Sequence, residues 1–259
     1  MSGNPGWDPE QYLRFGGERL QPALDLLARI AHPGPARVVD LGCGAGSAMP
    51  ALRARFPGAA LRGVDGSAAM LAKARAAGFD TEQADIAQWT PSEPVDVLFS
   101  NAALHWLPDH AALFPRLLGA LAPGGVLAAQ MPHMHAQPVR AAQDRLAADG
   151  PWAPRLAGVA SAQPVGDTAF YYGLLRPRTA ALDLWTTEYL HVLRGEDPVA
   201  RWAMGSSLRP YMDALDAEPA LRDGFLAAYA AEMRRAYPPQ PDGAVLLPFR
   251  RLFILARAE

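Results

Sequence analysis

Val38-Val39-Asp40-Leu41-Gly42-Cys43-Gly44-Ala45-Gly46 decides the fold of this chain. A short apolar run ends beside a carboxylate and then breaks into glycines at alternate positions. The run has the length and composition of a buried strand. The glycines predict a tight turn in which backbone lies close to a ligand, because a Cβ there would obstruct the approach. A helical pattern follows over about Ser47–Arg55, and its first N–H groups would face an anionic group. The spacing separates two kinds of nucleotide loop. A dinucleotide fingerprint requires Gly-x-Gly-x-x-Gly. Here Gly42, Gly44 and Gly46 give Gly-x-Gly-x-Gly, and Ser47 stands where the third glycine of that fingerprint belongs.

Working outward, the chain alternates strand and helix in the manner of a parallel sheet. Expected strands are 37–41, 60–65, 81–84, 95–101 and 126–131, with helices over 67–77 and 110–121. Ser67 is the expected N-cap of the first of these helices, and Pro123-Gly124-Gly125 closes the second. Residues 132–180, rich in Pro, Gly and His, are expected to be irregular or partly helical. A strand over 182–192 and two or more helices over 197–237 follow. After a Pro-Gly break comes a last strand over 249–257, with Pro248 at its start or at a bulge. The expected architecture is α/β: a Rossmann-like, mostly parallel sheet with an antiparallel last strand and a helical cap insertion. It forms one domain, 1–259, in which 30–131 is the cofactor-binding core, 132–180 an irregular insertion and 195–240 a cap over the acceptor site.

Composition narrows the class. The 259 residues are 50% hydrophobic, enough for a full core. No apolar run approaches the ~20 residues of a membrane span, and no signal peptide is evident, so no membrane partner is expected. Cys43 is the sole cysteine, which excludes an internal disulfide and suits a reducing compartment such as the cytoplasm. A net charge of −2 argues against nucleic acid as a partner. His133 and His135 would share one strand face, but no cysteine or acid stands near them at ligand spacing, so no metal is expected. No Ser-His-Asp set sits at a nucleophile elbow.

The Asp40-x-Gly42-x-Gly44-x-Gly46 loop resembles the first motif of the class I S-adenosylmethionine-dependent methyltransferases. The acids sit where an α/β sheet places ligand groups, at the carboxyl ends of strands. Asp65 ends strand two and could accept both hydroxyls of a ribose. Asp85 and Ile86 follow strand three and could present a carboxylate and an apolar wall to an adenine. Asn101, after Ser100, ends strand four near the expected methyl-transfer point. The resemblance therefore implies S-adenosylmethionine as cofactor, held by Asp40, Gly42, Gly44, Asp65, Ser67, Met70, Asp85, Ile86 and Asn101. Asp65, Asp85 and Asn101 each also have a bland alternative, as a helix-initiating acid, a turn residue and a strand-end cap; their joint occurrence in the expected order weighs against it.

Motifs along the whole chain are similar to the trans-aconitate 2-methyltransferase family. They are Trp7-Asp8-Pro9 with Tyr12-Leu13 and Glu18-Arg19, Leu104-His105-Trp106-Leu107-Pro108-Asp109-His110, Leu208-Arg209-Pro210, and Arg251-Leu252-Phe253-Ile254. The family usually has Gln where His105 stands. Two further departures stand out: Met131-Pro132-His133-Met134 replaces Met-Pro-Asp-Asn, and the region from Ala153 to Arg178 matches poorly, so both could line the acceptor pocket.

The resemblance implies methyl transfer to a carboxylate of trans-aconitate or a related small polycarboxylate. Carboxylates have pKa values near ~4, so the nucleophile is already ionised and needs no general base. No residue is then catalytic in the acid–base sense, and His105 and Trp106 are candidates for positioning only. Tyr12, Arg19, His105, Arg209 and Tyr211 are the expected acceptor-binding groups. Arg250 and Arg251 point to opposite faces of a strand, so at most one serves. At this stage three alternatives stand open: another small acid or phenol as acceptor, a nucleoside-binding protein without catalysis, and a nicotinamide enzyme, against which the absent third glycine counts.

Overall fold

A computed structural model describes residues 20–159, 165–205 and 207–259. Trp7, Tyr12 and Arg19 lie outside the described residues. The described chain groups into two compact units, one of 20–132, Val165–Thr187 and Arg251–Glu259, the other of 133–159 and Glu188–Arg250.

A seven-stranded sheet carries the fold, in the order β3-β2-β1-β4-β5-β7-β6. Its strands are β1 (Arg37–Leu41), β2 (Ala60–Asp65), β3 (Asp80–Gln83), β4 (Val95–Asn101), β5 (Leu121–Pro132), β6 (Ala181–Leu193) and β7 (Val245–Arg257). Strands β1 to β5 pair in parallel, and β7 returns antiparallel to β5. This is the Rossmann-like, mostly parallel sheet expected from the sequence.

Central position explains composition. β1, flanked by β2 and β4, is buried from Val38 to Leu41 and reads as an apolar run rather than an alternating one. The strand order reverses direction between β1 and β4. An open α/β sheet binds its ligand in the crevice outside the carboxyl ends at such a point.

In the first unit, α1 (Gln21–Arg29), α2 (Met49–Arg55), α3 (Ala68–Ala76), α4 (His110–Gly119) and α7 (Thr168–Leu175) accompany the sheet. Val39, Leu41, Leu98, Phe114, Leu117, Leu127, Tyr171 and Ile254 belong to its principal core. Ser67 caps α3 as expected, its hydroxyl accepting from Met70 N at 3.3 Å.

The second unit contains α5 (Pro138–Ala148), α6 (Ala153–Leu156), α8 (Pro198–Met204), α9 (Arg209–Ala214) and α10 (Pro219–Ala236). Val139, Trp152, Tyr211, Phe225, Tyr229 and Leu247 form its core. Inside it, Gln143 donates to the hydroxyls of Ser207 and Tyr229 at 2.7 and 3.2 Å, and Tyr229 donates to the Val139 carbonyl at 2.8 Å.

Three expectations need correction. The helix from His110 ends at Gly119, and Pro123-Gly124-Gly125, expected to close it, lies inside β5, which starts at Leu121 and not at 126. Residues 132–180 take the partly helical form of the two expected and are not an irregular insertion: they contain α5, α6 and α7, and the stretch from Val165 packs in the first unit. The prolines that suggest breaks instead start helices, at Pro138 and Pro154, where the missing N–H costs nothing. The last strand begins at Val245, before Pro248. Only 251–257 pair with β5, so proline four residues into β7 removes no bond of that ladder.

Candidate active site

The glycine loop is built from both sides. Gly42 N and Cys43 N donate to the Val64 carbonyl at 2.7 and 3.1 Å, which fastens the turn to the end of β2. Ser100 Oγ donates to the Leu41 carbonyl at 2.7 Å, which fastens it to β4. Gly42, Gly44 and Gly46 have φ of 77°, 54° and 82°, in the left-handed region that favours glycine. Their surroundings differ. A Cβ on Gly42 would lie 2.2 Å from Ala103 Cβ, whereas one on Gly44 would meet nothing within 4 Å. Gly42 is therefore demanded by the fold, and Gly44 leaves an open face.

Asp65, at the end of β2, crosses to this loop. Its Oδ2 accepts from Gly44 N and its Oδ1 from Ser67 N, both at 2.8 Å. Each carboxylate oxygen has a second acceptor position, so a carboxylate so oriented can still take a pair of vicinal hydroxyls. Asp85 Oδ1 accepts from Ala87 N at 2.9 Å and shapes the turn that presents Ile86. Asp40 is 2% exposed. Burial, and secondarily the Asp65 charge, raise its pKa from 3.8 to about 7. Burial, then the charges of Asp40 and Asp65, push the Cys43 thiol up to about 12, so it stays protonated and unreactive. Three acids beside a bare backbone loop suit a ligand with a ribose and a positive charge, which tests well against the cofactor expected from the sequence.

The structure also shows a support that sequence reasoning missed. Arg116 of α4 donates to the carbonyls of Ile86 and Ala87 at 3.3 and 2.7 Å, and to that of Trp89. One guanidinium thus holds the 86–89 turn by its backbone. Nothing in the sequence marks it, since Arg116 looks like any polar residue on a helix. His110, the first residue of α4, bridges the Leu104 carbonyl at 3.0 Å and the Tyr171 hydroxyl at 2.5 Å. Burial lowers its pKa, and the bridge fixes the turn carrying buried His105 and half-exposed Trp106.

The expected cofactor residues Asp40, Gly42, Gly44, Asp65, Ser67, Met70, Asp85, Ile86 and Asn101 all lie in the first unit, at or just beyond the ends of β1 to β4. The expected acceptor residues divide. His105 is in the first unit and Arg209 and Tyr211 are in the second, both on α9. The Arg209 side chain is 73% exposed and lies 3.9 Å from Asp213. The Tyr211 ring is buried and its hydroxyl donates to Asp144 at 3.1 Å. Arg251 is buried and Arg250 exposed, as their alternation on β7 requires. His133 and His135 have ring centroids 5.0 Å apart, and no group of three or more potential ligands among the described residues could hold a metal. No helix among the described residues is long and apolar enough to cross a membrane.

Comparison with known proteins agrees with this geometry. Residues 38–125 match the family described as Methyltransferase domain. A trans-aconitate 2-methyltransferase of Methylobacterium nodulans is 48% identical, over 97% of this chain and 98% of its own. One from Azoarcus sp. is 48% identical, over 97% and 99%. Among solved structures, the YcgJ protein from Bacillus subtilis has a TM-score of 0.59 at 14% identity, covering 92% of this chain and 97% of its own. An S-adenosylmethionine dependent methyltransferase from Mesorhizobium loti has a TM-score of 0.50 at 23% identity, covering 93% and 99%. These two share the fold. By its near-complete match to the curated relatives, this chain belongs to the trans-aconitate 2-methyltransferase family.

Proposed function

We propose that this protein transfers a methyl group from S-adenosylmethionine to a carboxylate of trans-aconitate, giving a methyl ester. The observation that carries the reading is the 48% identity over 97% of the chain to a relative of that name. When bound, S-adenosylmethionine supplies an electrophilic methyl group on a sulfonium centre. Asp65 would hold the ribose hydroxyls, Ile86 would wall the adenine, and the buried Asp40 would add negative charge for a ligand with a positive centre. The acceptor arrives ionised, so no side chain has to remove a proton. The protein's contribution is alignment and exclusion of water, which can supply roughly 7–11 kcal/mol. His105 acts as an orienting group in this reading. Arg209 and Tyr211, with Tyr12 and Arg19, are carried forward as acceptor-binding residues on the family resemblance, and the cytoplasm as the compartment that suits a single free thiol.

The test is a methyl-donor assay across di- and tricarboxylates with product masses. Trans-aconitate should be the best acceptor and gain one methyl group. Arg209→Ala should lower kcat/KM for it by at least about tenfold, a loss of 1.4 kcal/mol. A preference for phenols, or no change in Arg209→Ala, would refute the assignment of acceptor or residue.

The Arg116 clamp yields a second expectation. Arg116→Met removes charge-assisted bonds worth about 1.5–3 kcal/mol each when buried, so the 86–89 turn should loosen. S-adenosylhomocysteine affinity should fall about tenfold or more by calorimetry, while the KM for trans-aconitate stays near wild type. An equal loss in both would mean that Arg116 supports the fold generally and not this turn.

A further inference from the structure

Three side chains on adjacent strands of the first unit form a hydrogen-bond chain whose direction is chemically fixed. Arg251 on β7 is buried, and its Nη1 donates to Oε1 of Gln130 on β5 at 3.3 Å. Gln130, 1% exposed, donates through Nε2 to Oδ1 of Asn101, the last residue of β4. Register brings them together. Asn101 lies opposite Gln130, and Gln130 lies opposite Phe253, two residues from Arg251. Opposite and i, i+2 positions share one face of a sheet.

An amide can present either end, but a guanidinium has only donors. Arg251 therefore obliges Gln130 to turn its oxygen toward β7 and its NH2 group toward β4. Gln130 in turn obliges Asn101 to accept with Oδ1, and what Asn101 has left to offer is its Nδ2 donor pair. Reversing either amide, the buried Gln130 or the half-buried Asn101, would set donor against donor and leave groups unsatisfied, a costly arrangement. The neighbouring acids Asp40, Asp65 and Asp85 suit a cation. The end of β4 is where this sheet presents an N–H donor with a buried positive charge behind it.

We propose that Arg251 is a positioning residue for a carboxylate site at the end of β4: it fixes the direction of the chain and so holds Asn101 Nδ2 as a donor to a bound carboxylate. This rests on the methyl-transfer reading for the identity of the ligands, which bring carboxylates from two sources, those of the acceptor and the one on the methionyl part of the cofactor.

Calorimetry separates the two. Full-length protein is titrated with S-adenosylhomocysteine, and the loaded protein with trans-aconitate; neither measurement needs turnover, so wild-type turnover tests the methyl-transfer reading by itself. Asn101→Asp keeps the shape and the bond from Gln130 but replaces the donor by an anion. It should weaken one of the two ligands by about thirtyfold or more. Loss of trans-aconitate assigns the site to the acceptor, and loss of S-adenosylhomocysteine to the methionyl group. Arg251→Met should weaken the same ligand about tenfold. Arg251→Lys, which again offers only donors, should restore most of it. The double variant Arg251→Met, Gln130→Met should be no weaker than the worse single variant, because both break one chain. Unchanged affinity for both ligands in Asn101→Asp would overturn the proposal. So would additive losses in the double variant that follow its melting temperature.

Discussion

Gly42→Ala is expected to destabilise the cofactor site, whereas Gly44→Ala should leave it folded and binding far more weakly. At Gly42 the added Cβ would sit 2.2 Å from Ala103 Cβ and 3.6 Å from Ile86 Cδ1, at a φ of 77°. The left-handed conformation costs about 1–2 kcal/mol for an L-residue. Overpacking a tight contact typically adds about 1–3 kcal/mol. For a chain of this size that combination corresponds to a fall in Tm of roughly 5–15 °C. Gly63 backs the same loop, since a Cβ there would lie 2.7 Å from Cys43 Sγ, so the turn has no room to retreat. Gly44 has a φ of 54° and nothing within 4 Å, so alanine there carries only the conformational penalty. Its Tm should fall by a few degrees, about 2–4 °C per kcal/mol. Its methyl group would nevertheless occupy the face beside Asp65, and S-adenosylhomocysteine affinity should drop by about a hundredfold. Thermal denaturation with and without ligand reads both effects. If Gly44→Ala bound the ligand as tightly as wild type, the open side of the loop would not be the ligand's side.

Cofactor affinity should rise with pH through about 7 while the ligand-free protein becomes less stable. Both trends come from Asp40, whose pKa burial and the Asp65 charge raise from 3.8 to about 7. Between those values the folded protein holds a proton that the unfolded chain has released. Stability from this group is therefore highest at the acid end, near pH 4, and declines until about pH 7. The full change is several kcal/mol at most, taking about 1.4 kcal/mol per pH unit. S-adenosylmethionine carries a sulfonium and an ammonium group, and ionised Asp40 favours it. Below the raised pKa the proton has to be expelled, so affinity should fall by about tenfold between pH 8 and pH 6. Asp40→Asn should flatten the affinity profile near its low-pH value and stabilise the ligand-free protein at pH 8. Calorimetric titrations at the two pH values, with thermal melts of the unliganded protein, check this. A profile that persists in Asp40→Asn would place the titrating group elsewhere.

Much of this site follows from sequence because its signals are local. The Val38–Leu41 strand ending in alternate glycines, and the acids at Asp65 and Asp85, are set by residue pattern and turn chemistry within a few positions. Such patterns survive into the structure because β1 is central and both its faces are buried. Ser67 as an N-cap is equally local. The boundaries that moved, at Leu121, at Val245 and across 132–180, are those where pairing partners and packing decide whether a proline interrupts an element, lies inside it or begins it.

Tertiary structure alone determined the contacts that give those residues direction. The sequence places an acid at position 65. Only the parallel pairing of β1 with β2 brings it to Gly44 N, 21 residues away. The carbonyls that Arg116 grips lie 27–30 residues from it, and Gln130 is separated from Asn101 by 29 residues and from Arg251 by 121. Hydrogen-bonding direction in a buried chain depends on what faces what across strands. Periodicity assigns a residue to a face of its own strand, while the partner that fixes its donor or acceptor end is chosen by sheet order and register.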